Sequence, residues 1–410
     1  MKVYLVGGAV RDQLLGFPIK ERDWVVVGAT PDELIHQGYQ QVGRDFPVFL
    51  HPKTGEEYAL ARTERKRAPG YYGFTCVYDT NVTLEEDLAR RDLTMNAMAM
   101  DAQGQLIDPY HGQKDLKDKI LRHVSPAFVE DPVRVLRVAR FAARFHHLGF
   151  KLADETQTLM YSMVKNGELD HLVAERVWQE WQRSLQEKNP DVFITVLRSC
   201  GALRVILPEL DVLFGIPNWR RYHAEVDSGV HSLLVLRAAA SLSQDPEIRF
   251  AALMHDLGKG NTPMAIWPAQ YGHEKRGQEI IKALCQRLRV PVDYRKFAVM
   301  VCRHHLNIHR FAKLRANTIV AILERTDAFR RPQLFQKLLI VCEADAKGKG
   351  KESSQYPEAV RWQEVLTECM KIEAKSLIAE GYRGEAIKSA LHERRVNQVK
   401  LMLGLESGKA

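Results

Sequence analysis

The chain has six cysteines, Cys76, Cys200, Cys285, Cys302, Cys342 and Cys369, and no Cys-x-x-Cys pair. That spacing excludes a zinc ribbon and fits reduced thiols in a cytoplasm. No apolar run approaches the roughly 20 residues of a membrane span, so no membrane association is expected. The first apolar run is broken by Arg11 and Asp12, which argues against a signal peptide. No Gly-Lys-Ser/Thr closes a Walker loop, and no G-x-G-x-x-G dinucleotide fingerprint is present. Internal repeats are missing, and the only biased tract is the short Lys-Gly run at 347–351.

A chain of 410 residues is too long for one hydrophobic core, so about two to four domains are expected. The apolar fraction of 45% is ordinary for a globular protein, and the net charge of +8 permits a polyanionic partner. Strand signals fall near 2–6, 22–27, 47–50, 57–61, 97–101 and 105–108, with helical patterns between them. Thr83-x-x-Glu86 has the form of a capping box. From about residue 125 the period-two alternation fades, and long helical stretches follow, broken at Asn189-Pro190, Pro208 and Pro217-Asn218. The expected architecture is an α+β head followed by an all-α remainder. Its parts are 1–140 as head, 141–224 as helical neck and body, 225–345 as a second functional domain and 346–410 as a helical tail.

Three constellations carry chemistry. In the first, the run Val3–Val6 ends in Gly7-Gly8, Arg11 follows, and Glu21 and Asp23 lead a second apolar run. Residues i and i+2 of a strand point the same way, so the two acids are expected on one face beside a glycine turn at a helix start. Paired carboxylates suit Mg²⁺, and a helix N-terminus suits phosphate. Together they suggest metal-dependent chemistry on a nucleoside triphosphate. Taken singly, a glycine pair or an i, i+2 acid pair is more often a plain turn or a solvated strand face.

The second constellation is Arg90-Arg91-Asp92-Leu93-Thr94-Met95-Asn96-Ala97, followed by Glu130-Asp131-Pro132-Val133-Arg134 with Arg137 and Arg140. A lone arginine stripe is usually a salt-bridged surface. Asp131 and Arg134, three apart, would be neighbours on one helix face. Adenine and cytosine each present an exocyclic amine beside an unprotonated ring nitrogen, whereas uracil and guanine present a carbonyl beside a ring N–H. A carboxylate accepting from the amine and an arginine donating to the ring nitrogen would therefore take A or C and reject U or G. Arg137 and Arg140 would serve as forked donors to base and phosphate.

These motifs, in this order and with Leu14-Leu15-Gly16, resemble those of class II tRNA nucleotidyltransferases, the CCA-adding enzymes. The resemblance covers roughly residues 1–215. It implies a polymerase-β-like head and addition of C, C and A to tRNA 3′ ends from CTP and ATP without a nucleic-acid template. It further implies that Glu21 and Asp23 hold Mg²⁺, that Gly8, Arg11 and Arg91 contact the triphosphate, and that Asp131 and Arg134 read the base with support from Arg137 and Arg140. The family more often has Asp-x-Asp where this chain has Glu21-x-Asp23. Bacterial poly(A) polymerases share the motifs, and a poly(A) polymerase remains the alternative.

In the third constellation, His231 is followed by His255-Asp256 at the end of an apolar helix, then by His273, His304-His305 and Asp345. A lone histidine is usually a core or surface residue, but an adjacent His-Asp buried together is costly unless it shares a metal or hydrogen bonds. Imidazole and carboxylate suit Mn, Fe, Co, Ni or Zn. The pattern resembles the HD superfamily of metal-dependent phosphohydrolases over roughly 225–345. The ligands would be His231, His255, Asp256 and Asp345, with His223 a rival for the first and His273, His304 and His305 candidates to add to the set. Catalysis would fall to His255 and Asp256 with a transition metal such as Ni²⁺ or Mn²⁺. The resemblance implies removal of a terminal or 2′,3′-cyclic phosphate from damaged RNA ends. The stretch Arg65–Tyr72 is read as RNA-contacting or as a mobile loop, and Lys347–Lys351 as a solvated loop.

Overall fold

The computed structural model describes residues 1–42, 48–66, 74–77, 79–219, 227–349 and 356–404. The chain divides into two compact units, Met1–Ile206 and Leu207–Ala410. Two helices run through positions expected to be boundaries: Val133–Phe145 crosses 140, and Pro332–Gly348 crosses 345.

The first unit opens on a mixed sheet. Its strands are β1 (Lys2–Val6), β2 (Asp23–Val27), β3 (Gln40–Val42), β4 (Val48–Leu50) and β5 (Glu57–Leu60), and after a separate ribbon of β6 (Thr63–Lys66) and β7 (Phe74–Val77) come β8 (Ala99–Met100) and β9 (Leu106–Ile107). The order β3-β4-β5-β2-β1-β8-β9 puts β1 and β2 in the middle. Their run of Val, Leu and Trp follows from that place, because a central strand is covered on both faces. Val25 packs with Val6, Leu88 and Ala99 on one side, while its neighbour Val26 packs with Leu34, Phe49 and Leu60 on the other. Strands β1 and β2 are antiparallel, and Val6 is registered opposite Asp23. The end of one strand and the start of the other therefore meet beside the glycine turn.

The rest of the unit is helical apart from a parallel pair of short strands, β10 (Ile120–Leu121) and β11 (Lys151–Leu152), and is joined to the sheet by buried charge. The helix Val133–Phe145 presents Arg137 and Arg140 toward Glu180, which lies on the helix Ala174–Leu185. Arg140 Nε donates to Glu180 Oε2 at 2.6 Å, and the Arg140 guanidinium stacks over Phe141 at 4.5 Å. Arg137 Nε donates to Asp92 Oδ2 at 2.7 Å. Arg11 donates to Asn96 at 2.6 Å and lies against the rings of Phe141 and Phe145.

The second unit is helical throughout among the described residues. The helix Ser228–Leu242 packs on Pro332–Gly348, and Val292–His309 packs on both Pro246–Met254 and His273–Arg287. The turn after His255-Asp256 passes so close to the start of the helix His273–Arg287 that a Cβ on Gly258 would meet the His273 carbonyl oxygen at 1.9 Å. Only glycine fits, and that contact brings the His-Asp pair against the next two helices. The five described cysteines are buried and none forms a disulfide. No described helix is long and apolar enough to cross a membrane.

Glu180 is 3% exposed and answers a buried guanidinium. Glu180→Ala leaves Arg140 charged without that partner, and stability should fall by about 3–5 kcal/mol. Denaturant unfolding of the variant against the parent protein measures this.

Candidate active sites

At the head, the turn Gly7-Gly8 sits at the mouth of β1 and β2. Gly7 has φ +68°, and a Cβ there would meet Arg91 Nη1 at 2.8 Å. Glycine thus supplies both the left-handed backbone and the room for an arginine above the turn. Gly8 is the first residue of the helix Gly8–Leu14. Arg91 is fixed by Asp87 Oδ2 at 3.1 Å and lies close enough to Asp23 to lower its proton affinity. Burial and the neighbouring Glu21 act the other way and are stronger, so the Asp23 carboxyl is raised above its ordinary value. Two neighbouring carboxylates, Asp23 partly desolvated, beside an arginine form a hard-oxygen donor set that fits a divalent cation holding phosphate.

The geometry differs from a simple strand face. Strand β2 begins at Asp23, so Glu21 lies in the connection before it. Arg11, expected on the triphosphate, is 3% exposed and engages Asp12 and Asn96.

The expected helix-face geometry of Asp131 and Arg134 does not form, because Asp131 is extended (φ −115°, ψ 105°) and the helix starts at Val133. Pro132 favours this break, since the residue before proline is pushed out of the helical region. Asp131 instead accepts a forked pair from Arg176, at 3.1 and 2.8 Å, and the backbone N–H of Val133 at 3.1 Å. Arg134 is buried and donates to the Ala127 carbonyl. Asp92 takes up Arg137, Asn96 and the Leu93 N–H. Burial opposes its charge, but these partners prevail and hold the carboxyl below its ordinary range. Arg176 and Glu180 were not legible as site residues in the sequence. A basic or acidic residue 40 or more positions away gives no periodic signal toward its partner.

The second unit gathers its histidines and acids in one buried cluster. His231 Nε2 lies 3.0 Å from Asp345 Oδ1, and His255 Nε2 lies 3.2 Å from Asp256 Oδ2. His273 Nε2 lies 3.1 Å from Asp256 Oδ1 and 3.5 Å from His305 Nε2. The Nδ1 atoms of His255, His273 and His305 bond the carbonyls of Ala252, Gln270 and Cys302, at 2.7, 2.8 and 2.9 Å. Those bonds place the hydrogen on Nδ1 and turn each Nε2 lone pair inward. His255 Nε2 and Asp256 Oδ1 are buried with no satisfied hydrogen bond among the described residues. Lone pairs facing carboxylate oxygens at these distances need a cation between them, so the donor set fits a metal ion.

The charges agree. Burial alone would raise Asp256, but His255 and Lys259 hold it well below its ordinary value, and Lys349 and His309 do the same for Asp345. Burial lowers His255, yet Asp256 and Asp345 outweigh it and the imidazole is raised. Protons and metal ions therefore compete for the same nitrogen, and metal affinity falls on acidification.

All four expected ligands meet here, with His273 and His305. His304 is buried beside Arg303 and Arg325 and points elsewhere, as adjacent helix residues must. His309, one helical turn beyond His305, reaches Asp345 Oδ2 at 2.6 Å and is bonded in turn by Tyr356. Its i+4 spacing was the signal that sequence reading missed. Lys349 corrects the expected solvated loop: the helix continues to Gly348, and the Lys349 ammonium lies 2.7 Å from Asp345. His223 and the Arg65–Tyr72 side chains lie outside the described residues.

Family models match these parts in order: a poly A polymerase head domain at 3–122, a probable RNA and SrmB-binding site of polymerase A at 149–214, and an HD domain at 229–346. The multifunctional CCA protein of Legionella pneumophila (strain Paris) is 67% identical over 396 residues, spanning 97% of this chain and 96% of its own length. The chain belongs to the multifunctional CCA protein family. It is a tRNA nucleotidyltransferase with an α+β head and an HD domain. A CCA-adding enzyme solved with CTP matches at TM-score 0.65 and 20% identity, covering 99% of this chain and 92% of that one. The Thermotoga maritima CCA-adding enzyme solved with tRNA matches at 0.62 and 20%, covering 98% and 90%. At these identities the likeness is one of fold.

Arg176→Ala should release Asp131 and cut kcat/KM for CTP and ATP by about tenfold to a hundredfold, the cost of misplacing a substrate-orienting group. The melting temperature should change little, because Arg176 is partly exposed. Single-turnover incorporation with each nucleotide checks it.

Proposed function

We propose that this protein completes tRNA 3′ ends by adding C, C and A from CTP and ATP with Mg²⁺ at Glu21 and Asp23. The observation that carries the reading is the 67% identity, over nearly the whole chain, to a multifunctional CCA protein. The two carboxylates beside Gly7-Gly8 support it. Mg²⁺ bound there supplies positive charge to the triphosphate and the primer hydroxyl. Arg91, above the turn, neutralises phosphate charge. Gly8 and Arg11 belong to the same triphosphate end, Gly8 as backbone and Arg11 as the buried support of the turn. Asp131, oriented by Arg176, and Arg134 select the amine-bearing bases, while Arg137 and Arg140 fix the helix that carries them through Asp92 and Glu180.

The buried His-Asp centre is a phosphohydrolase site for terminal or cyclic phosphates on RNA ends. His231, His255, Asp256 and Asp345 would hold a transition metal such as Ni²⁺ or Mn²⁺, which supplies a Lewis acid for phosphorus chemistry. Lys259 and Lys349 balance the two carboxylates, leaving the metal's charge for an anionic substrate. The four-part division into head (1–140), neck and body (141–224), HD domain (225–345) and tail (346–410) assigns these tasks. Its substrate, tRNA, places the enzyme in the cytoplasm.

Incubation with a tRNA transcript ending just before CCA, with CTP, ATP and Mg²⁺, should extend the 3′ end by C-C-A and then stop, as read by sequencing. Unbounded A addition would instead mean poly(A) synthesis. Asp23→Asn should lower the rate by about a thousandfold or more, equivalent to losing several kcal/mol of transition-state charge stabilisation.

A further inference from the structure

We propose that the loop from Gly260 to Gly272 recognises the substrate of the second unit's buried centre, with Tyr271 stacking on the base of the nucleotide whose phosphate is hydrolysed there. This rests on the phosphohydrolase reading of that centre and deepens it. The substrate class becomes a phosphate carried on a nucleoside rather than any small phosphate ester.

The loop stands apart in composition and exposure. The chain is 27% charged, yet no Asp, Glu, Lys, Arg or His occurs between Lys259 and His273. Met264 is 75% exposed and Tyr271 76%, and Ile266 is exposed beside them in sequence. Large apolar groups held in water within one short segment mark a contact surface.

The backbone beneath them is pinned. Arg276, on the helix His273–Arg287, donates to the carbonyls of Tyr271 at 2.9 Å and Gly258 at 3.4 Å, and to Thr262 Oγ1 at 2.7 Å. Trp267 Nε1 donates to the Thr262 carbonyl at 3.0 Å. The buried Gln270 amide donates to the Pro217 carbonyl at 3.1 Å. Gln270 and Gly272, on either side of Tyr271, have positive φ values of 56° and 75°. A glutamine held in the left-handed region carries a conformational cost, and such costs persist where the surroundings over-determine the backbone. An exposed ring on a fixed backbone loses little freedom when it meets a ligand.

Placement selects the ligand. The loop leaves the centre at Asp256 and returns to it at His273, and the two side chains lie 3.1 Å apart. Tyr271 Cα is within about 8 Å of His273 Cα, because consecutive Cα atoms are about 3.8 Å apart. A nucleotide's phosphate and its own base are separated by a distance of that order. The two halves of such a substrate are chemically unlike. The anionic phosphate suits the centre, where Lys259 and Lys349 stand beside the carboxylates. The planar, uncharged base suits a surface without charge. Every base has a π-face, so a phenol ring would hold RNA ends of any sequence.

Two substrates of the full-length protein, with Mn²⁺ supplied, test this. One is adenosine 2′,3′-cyclic phosphate, and the other is methyl riboside 2′,3′-cyclic phosphate, which lacks the base. The parent protein should show a kcat/KM about tenfold higher for the adenosine ester, expressed in KM. Tyr271→Ala should raise KM for that ester about tenfold, with kcat held, and bring the two substrates level. Tyr271→Phe keeps the ring and should behave as the parent. Equal kinetics on both substrates in the parent would overturn base recognition and leave the loop as a surface for a protein. A preference that survives Tyr271→Ala would overturn the assignment to Tyr271. Loss of kcat on both substrates in that variant would mark a structural role and overturn it as well. Hydrolysis of neither substrate by the parent would overturn the phosphohydrolase reading itself.

Discussion

Buried charge that must be answered within the protein governs both units. In the first, Arg140 is buried on the helix Val133–Phe145, and Glu180 is the carboxylate that neutralises it. Asp92 answers Arg137 from the sheet side, so one helix is held between head and body by two ion pairs. The arrangement of Asp131 depends on this, because the helix it precedes cannot shift without breaking them. In the second unit the same constraint is met differently. Asp256 and Asp345 are answered partly by Lys259 and Lys349 and otherwise, among the described residues, by imidazole nitrogens. Where the protein supplies enough cations the result is a scaffold, and where it supplies lone pairs the result is a donor set that could hold a metal ion.

Local chemistry was the most legible part of the fold. Strands β1 and β2 are rich in valine, one ending at the glycine turn and the other led by Glu21 and Asp23, so the two strands and the place of Asp23 follow from short-range pattern. The His-Asp pair was legible because two costly groups stand together at the end of an apolar helix. Strands β3, β6 and β7 were not, being short and lacking clear alternation. Partner choice was also hidden. Asp131 could pair with Arg134 by spacing, yet Pro132 removes it from the helix and Arg176, 45 residues on, reaches it instead. Lys349 sits in a glycine-lysine run that reads as solvated, but its helix carries it to Asp345 on the i+4 spacing.

The two units carry chemistries that need opposite environments. Glu21 and Asp23 stand exposed at a strand mouth. The His-Asp centre is buried, with His255, His273 and His305 each held by a backbone carbonyl, which suits a tightly held ion of fixed geometry. Membership of the multifunctional CCA protein family accounts for their presence on one chain.

Separate centres predict separable activities, and the direct measurement is a crossed assay on two full-length variants. Asp23→Asn should lose CTP incorporation into tRNA and keep hydrolysis of a 2′,3′-cyclic phosphate. The double variant His255→Ala with Asp256→Ala should lose that hydrolysis and keep incorporation. Hydrolysis surviving in the double variant, at the parent rate and with the same metal dependence, would contradict the assignment of chemistry to the buried centre.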